Sequence, residues 1–365
     1  MQLDKIGFIG LGLIGGSIAQ KIKKDHPNTS IIATAGREST VKTAHSMGLI
    51  DNDTLLTMED FKECDFIFLC APVEKNIEYL SSLKDIIKPD CIITDVGSTK
   101  TEIHKEVIRL NLEDNFIGGH PMTGSEKTGI EFSDPLLLEN AYYIITPTAK
   151  STDENILSYK EFVSSLGSIP LIMEYTSHDH ATASISHLPH IISYALANLV
   201  EDIDDSNETM KTIAAGGFRD MTRIAASSPV MWESICISNR EQILELSDKY
   251  IAELRKIRDM ISSSDKQGML DYFQKAKDYR DSLAVPTHRN VTDIHEVYVD
   301  LADETGGIAI IANLLAFKGI NIKNIGIINN REFEEGVLRI EFYDQDALKL
   351  AKVVLEEKMY KLYDR

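Results

Sequence analysis

His120 stands in Gly118-Gly119-His120-Pro121-Met122-Thr123-Gly124-Ser125-Glu126, behind a strand-forming run at residues 115–118. An imidazole titrates near working pH and suits removal of a proton from a reacting alcohol. Ser98, in Asp95-Val96-Gly97-Ser98-Thr99-Lys100, likewise follows a strand-forming run, at the carboxyl end where open α/β sheets hold their ligands. As a bare Asp-x-Gly-Ser it also fits the N-cap of a following helix, and both roles can hold together. Arg219 and Arg223 are one helical turn apart in Gly216-Gly217-Phe218-Arg219-Asp220-Met221-Thr222-Arg223 and can share a face. Guanidinium forks match carboxylates, so the pair points to an anionic substrate with more than one carboxylate; salt bridges to Asp220 or Glu233 are the plainer alternative.

His178, His180, His187 and His190 fall within a short span, the last two flanking Leu188-Pro189. No carboxylate completes a coordination shell, so no metal is expected, and one or two of these rings are expected to donate hydrogen bonds to substrate. His178 and His180 read as ordinary surface or cap residues.

Gly10-Leu11-Gly12-Leu13-Ile14-Gly15 follows a clear strand and opens a helix. The first glycine makes the tight turn, the second lets backbone approach a pyrophosphate, and the third packs helix on strand. The helix N-terminus at Leu13 and Ile14 then faces the phosphates. A base about a hundred residues beyond such a turn is what redox chemistry on a bound nucleotide requires, so the chain reads as a dehydrogenase. The second strand should end in a carboxylate for the adenosine ribose, yet the segment is Ala33-Thr34-Ala35-Gly36-Arg37-Glu38-Ser39-Thr40. Arg37 with Ser39 or Thr40 can hold a 2′-phosphate, which favours NADP, whereas Glu38 swinging in would serve NAD.

The elements that must position these groups show two rhythms and a tail. Short apolar runs at 6–9, 31–34, 66–70, 91–94, 116–118 and 141–146 alternate with helical periods such as 15–24 and 73–87. That is a βαβ rhythm, and runs apolar on both faces imply a doubly wound parallel sheet. From about Ser177 to Ser282 long helical stretches at 187–200, 229–258 and 269–280 imply an all-α second domain, with the acidic stretch 201–208 a solvated interhelical loop. After a break at Ala284-Val285-Pro286-Thr287, strand, helix, two strands and a helix (294–301, 306–317, 322–328, 336–342, 345–356) are followed by a last strand within 358–363. This βαββαβ order reads as a ferredoxin-like module. The expected domains are a Rossmann nucleotide-binding domain at 1–172, an all-helical domain at 173–284 and the C-terminal module at 292–365.

A net charge of −19 argues against nucleic acid or an anionic membrane surface as partner. Cys64, Cys70, Cys91 and Cys236 show no metal spacing and read as free thiols. With no run of transmembrane length and no signal-peptide pattern, a cytoplasmic setting is expected.

Taken together, GFIGLGLIGGS, TDVGSTK, GGHPMTGSEKTG, SHLPHIIS and GGFRDMTRIAASSPVMW, in this order, resemble the prephenate dehydrogenase family of tyrosine biosynthesis, here with a C-terminal ACT domain. The resemblance implies a Rossmann domain, a helical dimerisation domain, a homodimer, and oxidative decarboxylation of prephenate to 4-hydroxyphenylpyruvate with NAD or NADP. It implies that His120 removes the proton of the ring 4-hydroxyl, that Ser98 orients that hydroxyl and the imidazole, and that Arg223 holds the ring carboxylate. His190 and His187 would support the substrate, and Arg219 its pyruvyl end. The tail would bind tyrosine as a feedback effector, although a glycine pair at Gly306-Gly307 replaces the family's more usual Pro-Gly. Arogenate dehydrogenase is the nearest alternative. A 3-hydroxyacid or 6-phosphogluconate type would want a helical catalytic lysine, and a nucleotide-binding sensor would leave His120, Ser98 and Arg223 without a role.

Overall fold

A computed structural model describes residues 4–124, 127–283, 295–301, 306–328 and 337–363. It divides into two compact units, Met1–Arg258 and Asp259–Arg365. The first begins with β1 (Lys5–Ile9), α1 (Leu13–Asp25), β2 (Ser30–Thr34), α2 (Glu38–Ser46), β3 (Phe66–Leu69), α3 (Val73–Leu83), β4 (Ile92–Asp95) and α4 (Thr101–Leu110). Strands β2-β1-β3-β4 lie side by side, all parallel, as a Rossmann-like sheet. Their side chains are buried on both faces: Phe8 stacks on Phe68 at 4.8 Å, and Phe66, Phe68, Tyr159 and Phe162 continue the aromatic layer. Burial on both faces is why these runs carry no polar alternation.

Beyond α4 the chain adds β5 (Ile117–Pro121), β6 (Tyr142–Pro147), α5 (Asp153–Ser165) and β7 (Ile169–Ile172). A parallel bridge from Ile93 to Phe116 sets β5 beside β4. The expected all-parallel plan fails here, because β6 runs antiparallel to β5 and only β6 and β7 are parallel to each other. The reason is the connection. Between β5 and β6 the described residues form only 3₁₀ turns, and without a crossover helix the chain returns in the opposite sense; α5 restores a parallel step. β7 is a strand that the sequence reading did not pick out.

The chain continues through helices: α6 (Tyr175–Thr182), a single π turn (Ala183–His187), α7 (Leu188–Ile203), α8 (Thr209–Ile213), α9 (Gly216–Thr222), a 3₁₀ turn (Arg223–Ala226), α10 (Pro229–Ser238), α11 (Arg240–Ser262), which crosses the boundary between the units, and α12 (Lys266–Ser282) within the second unit. The stretch expected as one helix over 229–258 is broken at Asn239. The acidic stretch expected as a loop is helical to Ile203, after which the carboxylates of Asp204 and Asp205 accept the backbone N–H groups that open α8. Among the described residues no helix is long and apolar enough to cross a membrane.

In the second unit β8 (Glu296–Asp300), α13 (Gly307–Phe317), β9 (Ile322–Ile328), β10 (Val337–Phe342), α14 (Gln345–Glu357) and β11 (Leu362–Tyr363) form a small antiparallel sheet in the order β11-β8-β10-β9. Val297, Val299, Ile311, Leu315, Leu338, Ile340 and Leu355 make its core. The βαββαβ element order is the expected one. The break at 284–287 and Asp303, Glu304 and Thr305 lie outside the described residues.

Candidate active site

The glycine turn has the geometry its three positions demand. Gly10 adopts φ +87°, and a Cβ there would meet the Ala71 backbone nitrogen at 2.5 Å. Gly12 has nothing within 4 Å of its Cβ position, the open approach a pyrophosphate needs, while at Gly15 the Cys70 sulfur is 3.0 Å away, marking close helix–strand packing. Leu13 and Ile14 open the 13-residue α1, whose first-turn N–H groups face the same way. These residues fit a dinucleotide. At the end of β2, Arg37, Glu38 and Ser39 are exposed at the start of α2, and Glu38 pairs with Lys42 at 2.9 Å.

His120 is not in a loop after β5 but inside the strand, registered with Ile144 of β6. The glycines before it are dictated by space: a Cβ at Gly119 would lie 2.7 Å from the Asp95 carbonyl and 2.8 Å from the hydroxyls of Tyr143 and Tyr159. Next door, Asp95 and Lys100 form an ion pair with no exposure to solvent. Lys100 Nζ also donates to the Gly119 carbonyl at 2.7 Å, and Asp95 accepts the backbone N–H of Gly97 at 2.9 Å and of Gly119 at 3.3 Å. Burial pushes the Lys100 ammonium below the usual lysine range against the pull of Asp95. This knot ties the loop of Ser98 to the strand of His120. Ser98 itself is half-buried and is not the cap of α4. That role falls to Asp179, whose carboxylate accepts the backbone N–H groups of Lys100 and Thr101, each at 2.7 Å.

His178 corrects the sequence reading. It is fully buried rather than a surface or cap residue: its Nε2 lies 2.8 Å from His120 Nδ1 and its Nδ1 2.8 Å from Asp179 Oδ1. The signal was the adjacent pair His178-Asp179, but its value depends on α6 packing against α4 and β6. His180 is exposed, on Gln242 Oε1 at 2.8 Å, as expected. Burial, then His178, Lys100 and His187, hold the His120 imidazolium well below the usual histidine range, so the ring is neutral at working pH.

The π turn sets the remaining imidazoles. His187 is buried, within 3.1 Å of Asn239 Nδ2, and burial pushes its pKa down to about 4. His190 stacks on the single tryptophan, Trp232, with ring centroids 3.8 Å apart, and its Nδ1 donates to the Ser186 carbonyl at 2.9 Å. The Trp232 indole N–H is buried and has no partner among the described residues. α9 and the 3₁₀ turn pack on α7, and burial, with the Arg223 charge adding to it, lowers the His190 pKa. The α-helix ends at Thr222, between Arg219 and Arg223, and both arginines are exposed. Asp95, Lys100, Asp179, Trp232 and Asn239 are neighbouring groups to which the sequence reading assigned no role. Among the described residues no group of three His, Cys, Asp or Glu could hold a metal.

The chain matches the family model "Prephenate dehydrogenase, nucleotide-binding domain" over residues 18–169 and "Prephenate dehydrogenase, dimerization domain" over residues 175–275. It is 38% identical to the prephenate dehydrogenase of Bacillus subtilis, covering 97% of this chain and 96% of that one. A solved structure of A. aeolicus prephenate dehydrogenase with hydroxyphenyl propionate and NAD+ superposes with TM-score 0.72 at 28% identity, covering 78% of this chain and 99% of that one. Synechocystis arogenate dehydrogenase gives TM-score 0.67 at 29% identity, covering 76% of this chain and 99% of that one.

Proposed function

The chain belongs to the prephenate dehydrogenase family, and from that premise we propose that His120 is the base, Ser98 the group that orients the reacting hydroxyl, and Arg223 the holder of the ring carboxylate. It is an oxidoreductase that uses NAD(P). The observation that carries the residue roles is convergence: the glycine turn after β1, the Ser98 loop after β4 and His120 near the end of β5 come from the same end of parallel strands, with β3 between β1 and β4 and β5 beside β4, the end where such sheets hold ligands.

When bound, the nicotinamide supplies the hydride acceptor. His120, whose charged form is disfavoured by desolvation, takes the proton of the 4-hydroxyl as C4 loses hydride and its oxygen becomes a carbonyl. Arg223 holds the ring carboxylate so that its C–C bond lines up with the ring π system; that bond then breaks, its electron pair passing through the ring to the C4 oxygen as CO2 leaves, and that oxygen takes a proton back from His120 to give the phenol. Aromatisation makes the step irreversible. His190, braced on Trp232, and His187, braced on Asn239, line the substrate side, with Arg219 directed to the pyruvyl end.

We further read Arg37 with Ser39 as favouring NADP, since Arg37 is exposed where the ribose would lie while Glu38 is engaged by Lys42. The division into 1–172, 173–284 and 292–365 is proposed on the change of architecture, with dimerisation assigned to the helical part. The C-terminal βαββαβ sheet is read as an ACT module that binds tyrosine. Initial rates with prephenate or arogenate, each paired with NAD or NADP, test substrate and cofactor together. Turnover of arogenate alone would change the substrate and keep the mechanism. Tyrosine inhibition that survives removal of residues 292–365 would reject the effector reading.

A further inference from the structure

The buried carboxylate of Asp179 receives three donors: the His178 ring at 2.8 Å and the backbone N–H of Lys100 at 2.7 Å on Oδ1, and the backbone N–H of Thr101 at 2.7 Å on Oδ2. Burial by itself would raise this carboxyl, yet the hydrogen bonds from His178 and Thr101 hold it below the usual carboxylate range, so it is ionised. An ionised carboxylate only accepts, which puts the hydrogen of a neutral His178 on Nδ1 and leaves its Nε2 bare. That bare nitrogen lies 2.8 Å from His120 Nδ1, so His120 donates from Nδ1, and its own lone pair is on Nε2, on the far side of the ring.

We infer that His178 and Asp179 are positioning residues that fix the tautomer and direction of the His120 imidazole, so that Nε2 is the atom that accepts the substrate proton. The inference rests on His120 being the base. The chain also steadies the charge. Once His120 holds the substrate proton on Nε2, its positive ring stays hydrogen-bonded through the His178 ring to the ionised Asp179. At this step one proton enters and none leaves. Asp179 stays ionised throughout, as orienting carboxylates do in nucleophile–histidine–carboxylate triads. Because the same carboxylate caps α4, it also couples the setting of the base to the end of the Ser98 loop.

The test uses full-length protein with His178→Leu, which removes the acceptor, and His178→Gln, whose amide oxygen can replace it near the Nε2 position. We expect the leucine variant to lose about 10²–10³-fold in kcat with KM for prephenate and affinity for NAD(P) changed less than about threefold, and glutamine to recover to within about tenfold of the parent. In protein labelled with [15N]histidine, His120, assigned by its absence in His120→Asn, should show a pyrrole-type Nδ1 and a pyridine-type Nε2. The opposite tautomer overturns the inference. So does equal activity of both variants and parent, or equal loss in both accompanied by weakened cofactor binding and lowered Tm, the mark of a merely structural role. His120→Asn run alongside separates the two levels. If it is inactive while the His178 variants match the parent, only this inference fails; if it retains full activity, the base assignment fails.

Discussion

Lys100 and Asp95 are five residues apart, and their ion pair is closed to solvent on both sides, with the lysine also bonded to the Gly119 carbonyl next to His120. Removing one partner strands the other. We expect Lys100→Met to cost about 3–5 kcal/mol by leaving Asp95 buried and unpaired, and to lower activity by freeing the His120 strand. Denaturant unfolding of the variant measures the first effect, and a change below about 1 kcal/mol would show that the pair does not fasten the Ser98 loop to the His120 strand.

The pH profile follows from which form of His120 works. The base must be neutral, and burial with His178, Lys100 and His187 holds its pKa well below the usual histidine range. kcat/KM should therefore stay flat through neutrality and fall only on the acid side of that range. His120→Asn should abolish this limb along with most of the rate.

Stability has its own acid dependence. Burial moves His187 from 6.5 to about 4 and His104 from 6.5 to about 3, and the unfolded chain takes up these protons near 6.5 while the folded chain resists. The contribution of the neutral rings is full above pH 6.5 and is lost as pH falls toward 4 for His187 and toward 3 for His104. A tenfold change in proton affinity corresponds to about 1.4 kcal/mol, so His187 carries at most about 3 kcal/mol. Tm scanned from pH 7 downward should fall through this window, less steeply in His187→Asn.

Arg223→Ala should raise KM for prephenate and lower kcat/KM about 10–100-fold, the weight of a hydrogen-bonded charge pair with a carboxylate. Arg219→Ala should act more weakly and mainly on KM. Equal kinetics for Arg223→Ala and parent would remove it from the substrate site.

Cofactor choice is measured separately. If Arg37 holds a 2′-phosphate, Arg37→Ala raises KM for NADP about 10–100-fold and leaves NAD nearly unchanged. Parallel losses with both cofactors would return Arg37 to the solvated surface.

What could be read from the chain was local. β1 to β4, the Gly10-Gly12-Gly15 turn, the long helices and the C-terminal βαββαβ order follow from periodicity and turn chemistry within short windows. His120 could be singled out because glycines and a strand surround it. The direction of β6 was misread because it depends on the absence of a crossover helix rather than on any property of β6 itself. Ser98 also fits a helix cap by its local sequence, a role that falls instead to Asp179, 79 residues on from Lys100.

The sequence by itself determined the dinucleotide turn, the candidate base and the alternation that builds the parallel sheet, because backbone conformation and hydrophobic periodicity act between near neighbours. Tertiary structure alone decided the partners. His178 meets His120 across 58 positions and Thr99 meets Ser238 across 139, and the Asp95–Lys100 pair acquires its burial only when β5 closes over it. A hydrogen bond between distant residues carries no periodic signature. It exists only because hydrophobic packing brings the two groups together and removes the water that would otherwise satisfy them.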